Sequence, residues 1–263
     1  MPQKRLRIFA GPNGSGKSTL LRIIPESLPL GFYINPDDIE KAIASNKGIN
    51  LEDYGVSPDE KALHSFFVNS DFVENKSDLA VLNGIFSIHA GVLVAAKTNI
   101  HPKYSAAILA EFLREENMKA GNDFSFETVM SHKNKIEFIQ KAIKNGYHVY
   151  LYFICTDDVR VNIERVKMRV KEKGHSVPEE KIKNRYFRTL ELLYDALKVC
   201  YKSYLFDNSD KTIEVARVNR DGNMIMSVKP ELLPNWFIKY VIDKNISRVA
   251  TKLNITFTPQ AKK

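Results

Sequence analysis

Eight residues, Gly11-Pro12-Asn13-Gly14-Ser15-Gly16-Lys17-Ser18, follow the spacing G-x-x-x-x-G-K-[ST]. Such a run cannot sit inside a helix or a central strand. It calls for a strand before it and a helix after it. The flanks supply both. Leu6, Ile8 and Ala10 alternate as a strand does. Leu20, Leu21, Ile23 and Ile24 give an apolar helix face, which Pro25 ends. Gly11, Gly14 and Gly16 allow successive backbone N–H groups to turn inward on an anion. A helix starting near Lys17 aims its positive end at the same place. The Lys17 ammonium can reach β- and γ-phosphates. The Ser18 hydroxyl suits Mg²⁺, which keeps several waters and takes few protein ligands. Residues Gly11 to Thr19 (Pro12, Asn13, Ser15 and Thr19 included) are therefore the expected nucleotide-binding segment, for ATP with Mg²⁺, with Ser18 on the metal.

The remaining chain reads as α/β. Strand signals recur at 5–10, 31–35, 123–127 and 148–156, with weaker ones at 203–208 and 213–219, and helical patterns lie between them. The run "VYLYFIC" is continuously apolar, as a central parallel strand is. The expected architecture is a mainly parallel sheet flanked by helices, in a domain over residues 1–220. A helical insertion is expected over about 45–120, an arginine-bearing helical lid over about 160–190, and a C-terminal extension over 221–263. Asp221-Gly222-Asn223 suggests a hairpin turn, and Leu233-Pro234-Asn235-Trp236 the start of a last helix.

Composition narrows the class. The chain has 263 residues, 44% hydrophobic and 27% charged, enough for one large domain. The longest apolar stretch, near 85–96, is broken by His89 and too short to span a bilayer, and the first strand leaves no room for a signal peptide. A cytoplasmic protein without membrane contact is expected. Two cysteines, Cys155 and Cys200, form neither a disulfide framework nor a zinc site and read as buried thiols. The net charge of +8 is spread along the chain, so it reads as a basic surface around a polyanion site. Nucleic acid is not an expected partner.

Three further clusters carry possible chemistry. In "FYINPDDIEKA", Asn35, Asp37 and Asp38 follow an apolar strand, where a carboxylate can take a proton from an attacking hydroxyl. The same residues are equally good helix starters. In "NDFSFETVMSHKNKIEFI", Glu127 at a strand end can bind substrate hydroxyls, while Thr128 and Ser131 suit helix capping as well. In "DDVRVNIERVKMRVKEKGHSVPEEKIKNRYFRTLELL", Val159, Ile163, Val166 and Val170 form one stripe, with Arg165 and Arg169 beside it. Ser176 and Glu179 form a capping box. The next helix carries Arg185 and Arg188, with Tyr186, Leu190, Leu193 and Leu197 as its buried face. Two such helices joined by a loop through His175 can bring arginines over a triphosphate, where a permanent charge and a planar fork suit phosphate oxygens.

Together "GPNGSGKST", "FYINPDDIEKA", "FSFETVMSHKNKIEFI", "GYHVYLYFICTDD", "NIERVKMRVKEKGHSVPEEKIKNRYFRTLELLYDA" and "YLFDNS" resemble the zeta-toxin-type P-loop kinases, and within them the chromosomal branch labelled predicted ABC-type ATPase. The resemblance spans about 4–210. It implies the fold of small-molecule and nucleotide kinases, with ATP and Mg²⁺. Zeta toxins move the ATP γ-phosphate to a hydroxyl of UDP-N-acetylglucosamine, and an antitoxin protein is a possible partner. By motif, Lys17 matches the phosphate lysine, Ser18 the Mg²⁺ hydroxyl and Asp37 the base. Glu127 and Thr128 match the substrate-side pair, and Arg169 and Arg185 the phosphate clamp, with Arg165 and Arg188 beside them. Here the base motif reads Asn-Pro-Asp-Asp, so Asp38 competes with Asp37. No LSGGQ-like signature accompanies the "ABC-type" label. The implied activity is phosphotransfer from ATP to a small hydroxylated acceptor, such as UDP-N-acetylglucosamine or a related sugar. A nucleic-acid-associated ATPase or switch and a nucleoside or nucleotide kinase are the alternatives.

Overall fold

The computed structural model describes residues 2–25, 27–45, 47–69, 84–95, 102–172 and 177–245. In chain order the elements begin with β1 (Arg5–Ala10), α1 (Lys17–Ile23), β2 (Phe32–Ile34), α2 (Pro36–Ala44), β3 (Ile49–Asn50) and α3 (Glu60–Val68). There follow β4 (Phe86–His89), β5 (Val92–Ala95), α4 (Pro102–Ala120), β6 (Phe124–Thr128), α5 (Asn134–Lys144) and β7 (His148–Cys155). The last are α6 (Val159–Lys171), α7 (Glu179–Val199), β8 (Lys202–Asp207), β9 (Ile213–Asn219) and β10 (Met224–Met226). A short helix, Asn235–Phe237, then widens into a π-helical turn over Ile238–Ile242.

The chain forms two compact units. One comprises Met1–Arg7, Glu26–Glu127 and Asn145–Tyr147. The other comprises Ile8–Pro25, Thr128–Lys144 and His148–Lys263. Met224–Met226 pair with β9, and Trp236 and Phe237 are fully buried, so the described part of 221–263 belongs to the second unit.

In the second unit the strand order is β10-β9-β8-β7-β1, β1 entering from Ile8. β7 and β8 run parallel, from Tyr150 opposite Lys202 to Cys155 opposite Asp207. β9 returns antiparallel, with a bulge at Leu205/Phe206. The β9–β10 hairpin turns at Gly222, whose φ of +85° is a conformation that glycine adopts without strain. The continuous apolar run of β7 is buried from Leu151 to Cys155, as a strand covered on both faces must be. Leu190, Leu193 and Leu197 of α7 are buried, as their spacing predicts. The apolar face expected after the glycine loop is thinner: α1 has seven residues and buries only Leu20, while Ile23 is exposed.

In the first unit β2 and β6 pair in parallel, Phe32 opposite Phe124 and Ile34 opposite Phe126. The insertion expected to be helical carries α3 and α4 but also a three-stranded antiparallel sheet, β3-β5-β4. Its strands span two to four residues, too short for a period of two to show in sequence. Phe66, Phe67, Phe86 and Phe112 pack these parts together, with ring centroids 5.3–5.8 Å apart in neighbouring pairs.

Candidate functional site

The glycine loop sits where the sequence puts it, between β1 and α1. Gly16 is the helix N-cap at φ +101°, and no side chain caps the helix. A Cβ on Gly11 would lie 2.1 Å from the Ile154 carbonyl oxygen, and one on Gly16 would lie 2.2 Å from the Asn208 amide nitrogen. These glycines are thus required by their neighbours as well as by any phosphate. The Lys17 ammonium donates to the carbonyls of Gly11 and Pro12 at 2.9 and 3.1 Å, lying across the mouth of its own loop. Ser15 is fully buried, and its hydroxyl has no hydrogen-bond partner among the described residues. A glycine loop ahead of an uncapped helix, with a lysine across it and an orphaned hydroxyl, fits a polyphosphate. Ser18 and Thr19 are exposed at the first turn of α1. Among the described residues no group of three His, Cys, Asp or Glu side chains could hold a metal. A cation here would take Ser18, water and ligand phosphates, which is the coordination Mg²⁺ favours.

Two threonine–asparagine pairs brace this loop, and no motif in the sequence marks either asparagine. Thr156 donates to Asn162 Oδ1, and Asn162 Nδ2 donates to the Asn13 carbonyl at 2.7 Å. Thr212 donates to Asn208 Oδ1 at 2.7 Å, and Asn208 Nδ2 donates to the Ser15 carbonyl at 2.8 Å. Each hydroxyl fixes which end of the amide faces the loop. Each amide then holds a loop carbonyl outward, leaving N–H groups for an anion. The available signal for Asn162 was its place on the apolar stripe with Val159, Ile163 and Val166.

The four arginines have different partners. Arg185 is half-buried, its Nη1 is 3.5 Å from Asn13 Oδ1, and burial lowers its pKa. Arg165 donates to the carbonyls of Asn208 at 2.7 Å and Ser209 at 3.3 Å, so its fork is occupied by the segment after β8. That pairing makes Arg165 a support of the segment after β8. Arg169 and Arg188 are exposed on α6 and α7. The loop carrying His175, and Ser176 of the expected capping box, lie outside the described residues. Pro178 is the N-cap of α7, and no side chain caps that helix. Thr128 also belongs to this unit. Its hydroxyl accepts from the Met130 N–H at 3.0 Å and its carbonyl accepts from the Gly11 N–H at 3.3 Å, so it shapes the turn after β6.

The carboxylates gather in the first unit. Asn35 caps α2 by accepting from the Asp37 N–H at 2.9 Å. Asp38 is 3.0 Å from the Lys41 ammonium. Asp37, also exposed, takes no hydrogen bond or ion pair on its carboxylate from the described residues. The capping role thus falls to Asn35, which leaves Asp37 as the uncommitted carboxylate. Tyr33 donates to Glu127 Oε1 at 2.5 Å. Burial, then the Glu127 charge, push the Tyr33 phenol far above its usual range, with Asp38 and Asp37 adding to the effect. Burial and Asp38 raise Tyr54 in the same way. Tyr33, Tyr54, Asp37, Asp38 and Glu127 therefore form one acidic neighbourhood whose phenols stay protonated and can only act as neutral hydrogen-bonding groups. Neither tyrosine was singled out by its sequence context.

Residues 95–216 match the family described as zeta toxin. That match covers a little under half of the chain. The match takes in β6 to β9, hence Glu127, Thr128, the four arginines and both braced asparagines. An uncharacterised protein of Haemophilus influenzae (strain ATCC 51907 / DSM 11121 / KW20 / Rd) is 36% identical over 63 residues. That is 24% of this chain and 45% of the relative, so less than half of the relative's length is matched. Solved structures share the fold. The AvrRxo1-ORF1:ORF2 complex superposes with a TM-score of 0.54 at 15% identity, over 98% of this chain and 72% of that one. The PezAT chromosomal toxin–antitoxin system of Streptococcus pneumoniae superposes with a TM-score of 0.51 at 15% identity, over 97% and 87%. Among the described residues no helix is long and apolar enough to cross a membrane.

Proposed function

We propose that this chain is a kinase of the zeta-toxin type, moving phosphate from ATP to a small hydroxylated acceptor in the cytoplasm. The observation that carries the reading is the glycine loop, whose Asn13 and Ser15 carbonyls are held by oriented amides beside an orphaned, buried Ser15 hydroxyl. Lys17 and the loop N–H groups bind the β- and γ-phosphates of ATP. Ser18 holds Mg²⁺, which when bound supplies charge neutralisation on those phosphates. Arg185 and Arg169 offset charge on the phosphoryl group in flight. The acceptor oxygen attacks the γ-phosphorus, the bond from that phosphorus to the β–γ bridging oxygen breaks, and ADP leaves. The acceptor proton passes to Asp37. Asp38 is tied to Lys41 and is the weaker candidate for that role. Glu127, with the neutral Tyr33 hydroxyl, binds acceptor hydroxyls. A sugar with several hydroxyls, such as UDP-N-acetylglucosamine, suits such a carboxylate–phenol wall. The toxin–antitoxin system named for the PezAT structure supports a protein antitoxin as a partner.

The test is mass spectrometry of the protein with ATP, Mg²⁺ and a pool of nucleotide sugars, nucleosides and simple sugars. One acceptor should gain about 80 daltons, the mass a transferred phosphoryl group adds. Asp37→Asn should abolish the gain and Asp38→Asn should retain it. ATP consumption with no phosphorylated acceptor would replace the kinase reading with an ATPase or switch.

A further inference from the structure

We infer that Trp236, far from the glycine loop in sequence, is a positioning residue for that loop, acting through Asp207 and Asn208. The inference rests on the reading of the loop as an ATP site.

Two carboxylates mark the ends of neighbouring strands: Asp207 closes β8, and Asp157 lies two residues beyond β7. Asp207 is only 7% exposed, and a carboxylate buried to that degree needs donors. Its Oδ1 accepts from the Trp236 indole N–H at 2.8 Å and from the Ser209 hydroxyl at 3.1 Å. Its Oδ2 accepts from the Ser209 N–H at 2.9 Å. Asp157 binds the same C-terminal segment: Oδ1 accepts from the Trp236 N–H at 3.0 Å and Oδ2 from Asn235 Nδ2 at 2.5 Å. The Ser209 hydroxyl joins the Asp207 carboxylate to the Asp157 backbone, because it also accepts from the Asp157 N–H at 2.8 Å. The indole ring is buried, with its centroid 5.7 Å from that of Phe153.

Asn208, between these anchored neighbours, holds the Ser15 carbonyl. Its own N–H donates to the Cys155 carbonyl at 2.8 Å, and Arg165 ties down the Asn208 and Ser209 carbonyls. The loop wall is therefore a short strap, residues 207–209, pinned on one side by Arg165 and on the other by Trp236. Removing the indole N–H leaves Asp207 Oδ1 with the Ser209 hydroxyl alone. Hydrogen bonds to a charged acceptor are the strong ones, so the strap loses its best side-chain donor on that side. Asn208 then holds Ser15 less firmly, and the loop N–H groups are less well preset for phosphate.

Trp236 is the chain's single tryptophan, so its emission reads this joint alone. The experiment titrates the full chain with ATP and Mg²⁺, followed by calorimetry and by tryptophan emission. Wild type should show an emission change that saturates with the calorimetric Kd. Trp236→Phe, which keeps a ring but not the N–H, should weaken ATP three- to tenfold by calorimetry. Phe237→Leu, which trims packing in the same helix and leaves Asp207 its donor, should lower Tm with Kd unchanged. ATP binding seen by calorimetry with silent emission, or with Kd equal in wild type and Trp236→Phe, overturns the inference and leaves the loop reading intact. No calorimetric binding of ATP by wild type overturns both. The emission arm needs no variant, so a Trp236→Phe protein that failed to fold would still leave a decisive measurement.

Discussion

An asparagine amide can donate from one end and accept at the other, and rotating it by half a turn exchanges the two. At the mouth of a phosphate loop that exchange would turn a braced carbonyl into a repelled one. Here Thr156 and Thr212 each donate to an amide oxygen and so forbid it. Replacing Asn208 with Leu would leave the fully buried Ser15 with an unpaired carbonyl, a cost of about 1–3 kcal/mol. The expected outcome is a weaker Kd for ATP, measured by calorimetry, with the fold retained by circular dichroism. Tyr33→Phe should do the opposite: it releases Glu127 from its donor 2.5 Å away, raising KM for the acceptor and leaving the ATP Kd unchanged. At this scale the sequence was legible where the backbone demands a residue type, as at Gly11, Gly16 and Lys17. It was not legible at Asn162, Asn208 or Tyr33, whose partners lie 94 to 193 positions away.

At the scale of elements, strands were read within a residue or two of where they stand, because β1, β7 and β9 carry strong apolar patterns and defined turns. The β3-β5-β4 sheet escaped because its strands are too short to show alternation. The four arginines stand on α6 and α7, as their spacing predicts, while the two carbonyls that Arg165 faces lie more than forty positions away and leave no trace in that spacing. The turn before α5 brings a further group to this cluster. Burial, then Arg188, Arg185 and Lys135, lower the pKa of His132. A histidine depressed in the folded state is stabilised as the neutral form. Its contribution is full above pH 6.5, the ordinary value, and is lost as pH falls through the folded pKa. NMR titration should place His132 below 6.5, and Arg188→Gln should move it upward, since a repelling cation is gone. A titration at or above 6.5 would exclude the proposed proximity.

For the whole molecule, the two thiols are the simplest global probe. Cys155 and Cys200 are both essentially unexposed. Burial pushes the Cys155 thiol up strongly and the Cys200 thiol up to about 12. A raised thiol pKa means the unfolded chain ionises first. Stability is then intact below pH 9, the ordinary value, and declines as pH rises above it. Ellman's reagent at neutral pH should label neither cysteine in the native protein and both in denaturant, with the labelling rate following global unfolding. Rapid native labelling of either would contradict the burial. The α/β class was legible from the alternation of patterns, but the division into two units was not. The second unit takes its residues from three separated stretches of chain, and no composition shift marks where they join.

That interleaving has a consequence for how the protein is made. The glycine loop leaves the ribosome within the first twenty residues, yet the side chains that shape it are Asn162, Arg185 and Asn208, with Trp236 behind them. At about 5–20 residues per second, translation delivers the last of these some ten seconds or more after the first. A nascent chain therefore displays the motif long before it owns the side chains that brace it. The bracing of the loop is complete only when residues 207–236 have been made.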